Sequence, residues 1–420
     1  MKKISNAAST PSYTEGVICQ LCSAKKLVCI LDLGHQPMTQ EYLTSAQLNL
    51  PEKTYPLHLC CCDACGLVQL DYVASPETVF PDAYPYRTGL TNMLIRNFQA
   101  LAETLSKKGY VKKGGLIVDI GSNDGTLLKN FVSKGMRVVG IEPTDAAKDA
   151  VTAGITTLQE YITPAVAKKL VSKHGQADIV TATNAFAHIP DVPALMQCID
   201  TILKDDGVFV SESQYLRDIL EGLEFDTIYH EHLRFYSLTS LAKLFSTYGW
   251  TVVDAERISA AGGSIRAYAM KGKHPSNKNV RAILAEEKKE KINERATLLS
   301  FAQKAREAKR ELLSLLLSLQ KQGKRIVAVS SPARSNTLLN FCRIDSDTID
   351  YAGEKRGSPK IGLFTPGAHI AVVDEAQIFA DQPDYCLILS WHIGKELSDI
   401  IKKRGFTGKC IVPLPTPRII

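Results

Sequence analysis

Two doubly wound α/β units behind a cysteine-rich metal-binding lobe are the architecture this sequence predicts, on three observations. Seven of its eleven cysteines fall between Cys19 and Cys65. From residue 115, short apolar runs alternate with helical patterns, as buried parallel strands and their crossovers do. After a long charged stretch the alternation restarts at KRIVAVSS, residues 324–331. The lobe is expected over 1–75, the central unit over 76–275, and the C-terminal unit with a leading helix over 276–420.

In the lobe, Cys19-Gln20-Leu21-Cys22 and Cys62-Asp63-Ala64-Cys65 form two CxxC knuckles. Four thiolates suit a closed tetrahedral zinc site, which stabilises a fold and leaves no position open for catalysis. Cys60 and Cys61 offer competing registers, but Cys62 keeps the two-residue spacing and is the expected ligand. The alternative is a set of reduced structural thiols. Clustering of this kind argues against secreted disulfides. Cys198, Cys342, Cys386 and Cys410 read as core cysteines.

The central unit opens with GLIVDIG, a buried strand that breaks into Ser122-Asn123-Asp124-Gly125 and then a helical pattern ending at Gly135. RVVGIEP is a second strand ending at Glu142 and Pro143. ADIVTATNAFAHI and GVFVSESQ follow as strands around the helix VPALMQCIDTILKDDG, and TVVDAERI and SIRAYAMK close the sheet as an antiparallel pair. Gly121 and Gly125 let a ligand approach the backbone. Glu142, at a strand end, suits the two hydroxyls of a ribose. A dinucleotide site favours GxGxxG and a helix start touching pyrophosphate. Here Asn123 takes the place of the second glycine, and Asp124 adds negative charge at the helix start. That pattern favours a cationic adenosine ligand without phosphates, S-adenosylmethionine (SAM), over NAD. The central unit is then a class I, Rossmann-like SAM methyltransferase domain.

Residues 279–322 read as a charged helical connector with one apolar face. Beyond it, KRIVAVSS, DTIDYAG, PDYCLILSW and KCIVPLP are the strands of the second α/β unit. Arg334 and Asn336, at the turn into a helix, are placed for phosphate contact. Lys355, Arg356 and Lys360 are weaker candidates for the same role.

Composition narrows the function classes. The chain is 45% hydrophobic and 22% charged with a net charge of +6. The basic excess forms no stripe, which argues against a nucleic-acid partner. No apolar run approaches the roughly 20 residues needed to span a bilayer. The start, MKKISNAASTPSYTEG, lacks the apolar core of a signal peptide. A cytoplasmic enzyme, monomeric or a small homo-oligomer, is expected.

The knuckles before LVQLDYV, YPYRTG (84–89), DIGSNDGTLL, GIEPT, NAFAHIPDV, EFDTIYHEHLRFYS, GGSIRAY, NTLLNF, FTPGAHI and IVPLP together resemble the bacterial three-domain C-methyltransferases that act on nucleotide-linked deoxysugars. The resemblance spans nearly the whole chain. It implies a zinc-binding N-terminal domain, a central SAM domain and a C-terminal α/β domain, with a nucleotide-sugar between the last two. Departures from the family pattern fall at SSPARS (330–335), which lacks a glycine, at EKRGSPKIG (354–362), and at Ala261, where relatives often carry histidine.

Chemistry gathers in DTIYHEHLRFYS, residues 226–237. Methylation at carbon needs a base to remove a proton beside a carbonyl and donors for the enolate oxygen. Histidine suits the base because it titrates near neutral pH. By the resemblance and this chemistry His232 is the expected base. Glu231 is expected to orient a neighbour or bind a sugar hydroxyl, with Tyr229, His188 and Tyr84 as donors in the same pocket. Expected donor-site residues are Tyr86, Asp119, Gly121, Ser122, Asn123, Gly125, Glu142, Pro143 and Asn184. Expected substrate contacts are Phe186, Arg334, Asn336 and Lys360. A strand through 230–232 would put His230 and His232 on one side, leaving a metal as the alternative use. The expected reaction is C-methylation of a keto-deoxysugar on a nucleoside diphosphate, at C3 beside a 4-keto group. Its rivals are O-methylation on the same scaffold, an NAD-dependent sugar enzyme and a zinc-containing nucleic-acid-binding protein.

Overall fold

The computed structural model describes Tyr13–Thr14 and residues 17–82 and 84–420. The polar start and the side chain of Ala261 lie outside the described residues.

Three sheets organise the chain. The central sheet has seven strands in the order Trp250–Ile258, Ser264–Lys271, Leu203–Gln214, Ala177–Thr183, Leu116–Ile120, Arg137–Ile141, Thr157–Leu158. The last five run parallel and the first two antiparallel. Leu116–Ile120 and Ala177–Thr183 are buried at every position, as the continuous apolar runs required. Strand order reverses between these two, so the crevice for a ligand lies above their carboxyl ends.

The C-terminal sheet repeats this plan. Its order is Val372–Asp374, Ala352–Glu354, Ile326–Val329, Tyr385–Ile388, Lys409–Val412, Arg418–Ile419, parallel except for the last strand. Its own crevice lies between Ile326–Val329 and Tyr385–Ile388.

The lobe carries a five-stranded antiparallel sheet whose last strand is not its own. Arg234–Phe235, from the central unit, pairs with Val68–Leu70. The strand therefore sews the DTIYHEHLRFYS segment to the lobe.

The charged connector is two helices, Lys278–Glu290 and Arg295–Lys321, parted at Lys291, which adopts a left-handed φ of 58°. The second is less a connector than a spine. Its apolar stripe (Leu298, Phe301, Ala305, Leu312, Leu316) is buried in one core with Val28, Leu31 and Leu59 of the lobe and Ile326, Leu338 and Ile411 of the C-terminal unit. Side chains spaced three and four apart share one helical face, which is how one helix serves two neighbours. Glu287 of the first helix is 2% exposed. It accepts the Tyr215 hydroxyl (2.8 Å) and the backbone N–H groups of Leu238 and Thr239 (2.6 and 2.9 Å), satisfying the start of the helix Leu238–Thr247. None of the helices among the described residues is long and apolar enough to cross a membrane.

Candidate active site and cysteine cluster

The glycine bend forms the floor of the central crevice. Gly121 has φ +73°, and a Cβ there would come within 2.6 Å of the Ala185 Cβ, so glycine is required. Asn123, also left-handed (φ 48°), donates its backbone N–H to Glu142 Oε2 at 2.9 Å. Glu142 Oε1 accepts the backbone N–H and hydroxyl of Thr144 at 2.9 and 2.6 Å. The carboxylate is thus aimed at the bend before any ligand arrives. Pro143 follows it, half-buried. Ser122 Oγ is buried and has no partner among the described residues. An unsatisfied hydroxyl and a fixed acid at the strand end fit an adenosine ligand. Asn184 (φ 53°) starts the opposite loop and donates its N–H to the Glu212 carbonyl at 2.7 Å. Asp119 lies beneath the bend, 1% exposed, and takes the Thr181 hydroxyl at 2.6 Å. Burial lifts its pKa to about 7. Its carboxylate is thus tied to the neighbouring strand at Thr181.

The segment from Tyr84 to Gly89 is fastened over this floor. Asn123 Oδ1 accepts the Thr88 N–H and hydroxyl at 2.8 and 3.0 Å, and Asn123 Nδ2 donates to the Tyr86 carbonyl at 3.2 Å. Gly89 donates its N–H to Asp124 Oδ2 at 2.7 Å. Asp124 is thereby committed to the cover as well as to the helix start, where its Oδ1 accepts from Thr126. Tyr86 and Tyr84 meet edge-on, ring centroids 6.4 Å apart, and the Tyr84 hydroxyl donates to Glu231 Oε2 at 2.8 Å. A continuous path therefore joins the bend to the DTIYHEH segment.

That segment is a turn, not a strand: the His232 N–H donates to the Tyr229 carbonyl at 2.9 Å. The turn separates the two histidines. His230 Nε2 donates to the Pro56 carbonyl at 3.2 Å, and its ring packs edge-on against Tyr55 and Tyr72. The structure gives His230 a bracing place and removes the strand geometry on which a metal pair with His232 depended. The His232 ring lies over Tyr229 (4.0 Å) and stacks on His188 (5.0 Å, 22°), which stacks in turn on Phe80 (5.8 Å, 21°). His232 Nδ1 is 2.7 Å from the Thr227 carbonyl. A carbonyl only accepts, so Nδ1 carries the proton and Nε2 keeps its lone pair. Burial, reinforced by the positive charge of Arg334, lowers the His232 pKa to about 4 against the Thr227 bond. His188 is pushed well below its ordinary value by burial and by the neighbouring His232 and Arg234. Glu231 rises to about 7 because burial outweighs its bonds from Tyr84 and Thr39.

Both ends of the turn are clamped. At its start, Asp226, fully buried, accepts Arg334 Nε (2.9 Å), Arg334 Nη2 (2.7 Å) and Trp391 Nε1 (2.7 Å). Thr337 donates its hydroxyl to the Ile228 carbonyl at 3.1 Å. At its end, the Leu70 N–H donates to the Leu233 carbonyl, and the Leu233 N–H to the Ala187 carbonyl beside His188.

The cysteine knuckles converge. One sulfur from each of Cys19, Cys22, Cys62 and Cys65 lies within 4.8 Å of the others. Cys19 and Cys65 sulfurs are 3.4 Å apart and Cys22 and Cys62 sulfurs 3.6 Å. Zinc–sulfur bonds of about 2.3 Å in a tetrahedron require about 3.8 Å. The donor set and spacing fit zinc, and Cys62 is the sulfur in register.

The expected substrate contacts fare differently. The Phe186 ring is fully buried among Phe209, Tyr236 and Phe245, so it packs the core beneath the His188 loop and does not face a substrate. Arg334 is committed to Asp226 and, through Nη2, to Glu224 at 3.0 Å; its phosphate role gives way to a clamp because the carboxylates occupy the fork. Asn336 donates to the Thr39 carbonyl at 2.6 Å, leaving its Oδ1 buried and unpartnered among the described residues. Lys360 reaches the Ser331 carbonyl at 2.7 Å and lies 4.8 Å over the Tyr42 ring. Lys355 and Arg356 are exposed. Sequence reasoning missed Thr39, Tyr42, Phe80 and the Thr227 carbonyl. Each sits in an unremarkable local sequence and acquires its place only when distant segments meet.

Comparison with known proteins supports the assignment. Residues 19–80 match the family described as "Putative zinc binding domain", 90–255 "Methyltransferase domain", and 259–415 "C-methyltransferase C-terminal domain". The C-methyltransferase NovU of Streptomyces niveus is 30% identical over 408 residues, 96% of each chain. A ubiquinone biosynthesis O-methyltransferase of Colwellia psychrerythraea is 27% identical over 173 residues, 37% of this chain and 70% of that one. Among solved structures, the SAM-bound magnesium protoporphyrin IX methyltransferase of Synechocystis shares 13% identity, with a TM-score of 0.33 over 43% of this chain and 80% of that one; a likeness this distant carries no argument. The full-length match to NovU, the three family matches in order and the cysteine cluster agree: the chain is a SAM-dependent, zinc-binding methyltransferase that belongs to the three-domain sugar C-methyltransferase family.

Proposed function

We propose that the protein C-methylates a keto-deoxysugar carried on a nucleoside diphosphate, at C3 beside a 4-keto group, with His232 as the general base. The observation that carries this reading is the imidazole tautomer. Nδ1–H is held by the Thr227 carbonyl, and none of the described residues hydrogen-bonds Nε2. At neutral pH the ring is an uncharged base of fixed orientation, roofed by His188 and Tyr229. When held at the Gly121–Gly125 bend, SAM would supply an electrophilic methyl group to the enolate carbon, with S-adenosylhomocysteine as the leaving group. His232 Nε2 takes the proton beside the ketone, and the C–H electron pair moves into an enolate. Negative charge developing beside the imidazolium favours the proton transfer and offsets the low resting basicity. Tyr229 and His188 are the donors for the enolate oxygen, while the one hydroxyl proton of Tyr84 goes to Glu231. Glu231, poised near pH 7 and bound by Tyr84, holds that tyrosine or a sugar hydroxyl.

The test separates C- from O-methylation. In heavy water with S-adenosylhomocysteine (SAH) in the donor site, nucleotide-linked 4-keto-6-deoxysugars are incubated with the enzyme and followed by NMR. Exchange of the proton at C3 is expected. His232→Gln should slow exchange and turnover by about 10²–10⁴-fold while keeping SAH affinity. Turnover without exchange, or an active His232→Gln, defeats the base assignment.

A further inference from the structure

One guanidinium links the zinc knuckle to the loop carrying His188. Arg234 is 2% exposed. Its Nη1 donates to Gln20 Oε1 at 2.7 Å; its Nη2 donates to the carbonyls of Phe186 (3.0 Å) and Ile189 (2.5 Å). Nη1 also lies 3.5 Å from the Pro190 carbonyl. Its neighbour Leu233 holds the Ala187 carbonyl at 3.1 Å. The backbone on both sides of His188 therefore hangs from two consecutive residues, and the second of these is two positions beyond His232. On the other side, Gln20 sits between Cys19 and Cys22, and its own N–H donates to Gln69 Oε1 at 2.8 Å. Gln69 lies opposite Arg234 in the strand pairing. A planar fork meets these divergent acceptors at once, and an ammonium does not. Burying a cation is costly unless its donors are engaged; Nη1 and Nη2 are engaged, and Nε is buried without a partner among the described residues, so the hold on the loop rests on the two terminal nitrogens.

We propose that Arg234 is a positioning residue that sets the spacing of the stacked His188 and His232 rings, and that Gln20 in the first zinc knuckle holds Arg234 in register. The metal lobe then acts on the reaction centre as well as on folding: closing four cysteines around an ion fixes Gln20, Gln20 fixes the guanidinium, and the guanidinium fixes the His188 loop. The importance of this spacing rests on the assignment of His188 and His232 to the reaction; the test below does not, because it reads ring environment and not turnover.

The test uses full-length, zinc-loaded protein with SAH bound and nitrogen-15 in its histidine rings, with signals assigned through His188→Asn and His232→Gln. In Arg234→Lys the His188 and His232 signals are expected to shift, while zinc content and SAH affinity stay within about twofold of wild type. Gln20→Leu, which leaves every thiolate in place, should move the same two signals by less and leave that of exposed His274 unchanged. Unmoved His188 and His232 signals in either folded variant overturn the proposal. So does loss of zinc or SAH binding in parallel with the shift, which marks general disruption. If Arg234→Lys does not fold, Gln20→Leu decides alone. An active His232→Gln would defeat the base assignment and leave this result standing.

Discussion

The central and C-terminal α/β units build their crevices alike and fill them differently. In each, the residue after the first strand takes a left-handed turn: Gly121 at φ 73°, Ser330 at φ 66°. In each, an acid ending the second strand accepts a backbone N–H from that turn at 2.9 Å, Glu142 from Asn123 and Glu354 from Ser331. The central unit leaves Ser122 Oγ unsatisfied and fastens Tyr86 and Thr88 over its floor through Asn123. The C-terminal unit receives a protein carboxylate, Asp226, between Arg334 and Trp391. One crevice is kept for a cofactor, and the other also grips the loop proposed to carry out the chemistry. The same supersecondary frame serves as a binding site or as a clamp, depending on what the neighbouring chain inserts.

The largest expected effect lies at the clamp. Arg334→Met leaves Asp226 and Glu224 as buried carboxylates without their cation, and loss of one partner in such a pair costs about 3–5 kcal/mol. Urea unfolding should register a loss of this size. Arg334→Met combined with Asp226→Leu and Glu224→Gln should recover part of it. If Arg334→Met unfolds like wild type, the crevice is not a clamp.

A second, smaller effect separates the two sides by pH. Burial lowers the His230 pKa to about 4 from an ordinary 6.5. As pH falls from 6.5 toward 4, the unfolded chain takes up this proton before the folded one, so the histidine's contribution destabilises the fold progressively through that window. His230→Gln removes the effect. Whatever the substitution costs at pH 7, its deficit against wild type should narrow by on the order of 2 kcal/mol by about pH 5. A deficit that stays constant with pH would mean that His230 is not held neutral.

The smallest predicted effect sharpens the comparison at the two acids. Glu142→Gln should weaken SAH about tenfold, about 1.4 kcal/mol, as expected for a charged acceptor on a hydroxyl pair. Glu354→Gln should leave SAH affinity unchanged. Calorimetric titration distinguishes them, and equal effects would mean that the two crevices are not functionally distinct.

Much of the fold was readable along the chain because its determinants are local. Continuous apolar strands, glycine turns and knuckle spacing each lie within about ten residues, and the sheets of the two α/β units follow from them; the sheet of the lobe was not read from the sequence. The tetrahedral sulfur set was legible down to the choice of Cys62. The borrowed strand Arg234–Phe235 was not: two residues carry no periodicity, and their partner Val68–Leu70 is remote in sequence. Arg334 shows the same limit. A basic residue at a helix start suggests phosphate, but Asp226 and Glu224 reach it from more than 100 positions away. Phe186 was misplaced because proximity to His188 in sequence says nothing of which way a ring turns. The placing of His232 and Glu231 side by side with different partners needed the turn, which no local pattern in 226–237 announces.

The borrowed strand has a consequence for how such enzymes can be recombined. A lobe taken from a relative must supply not only its knuckles but an edge that accepts Arg234–Phe235 in the same register, and a central unit expressed without a lobe leaves that two-residue strand bare, a few residues from the proposed base. Exchanges between relatives that cut at the unit boundaries should therefore give misassembled or silent chimaeras, whereas exchanges that carry residues 224–237 together with the lobe should give active ones.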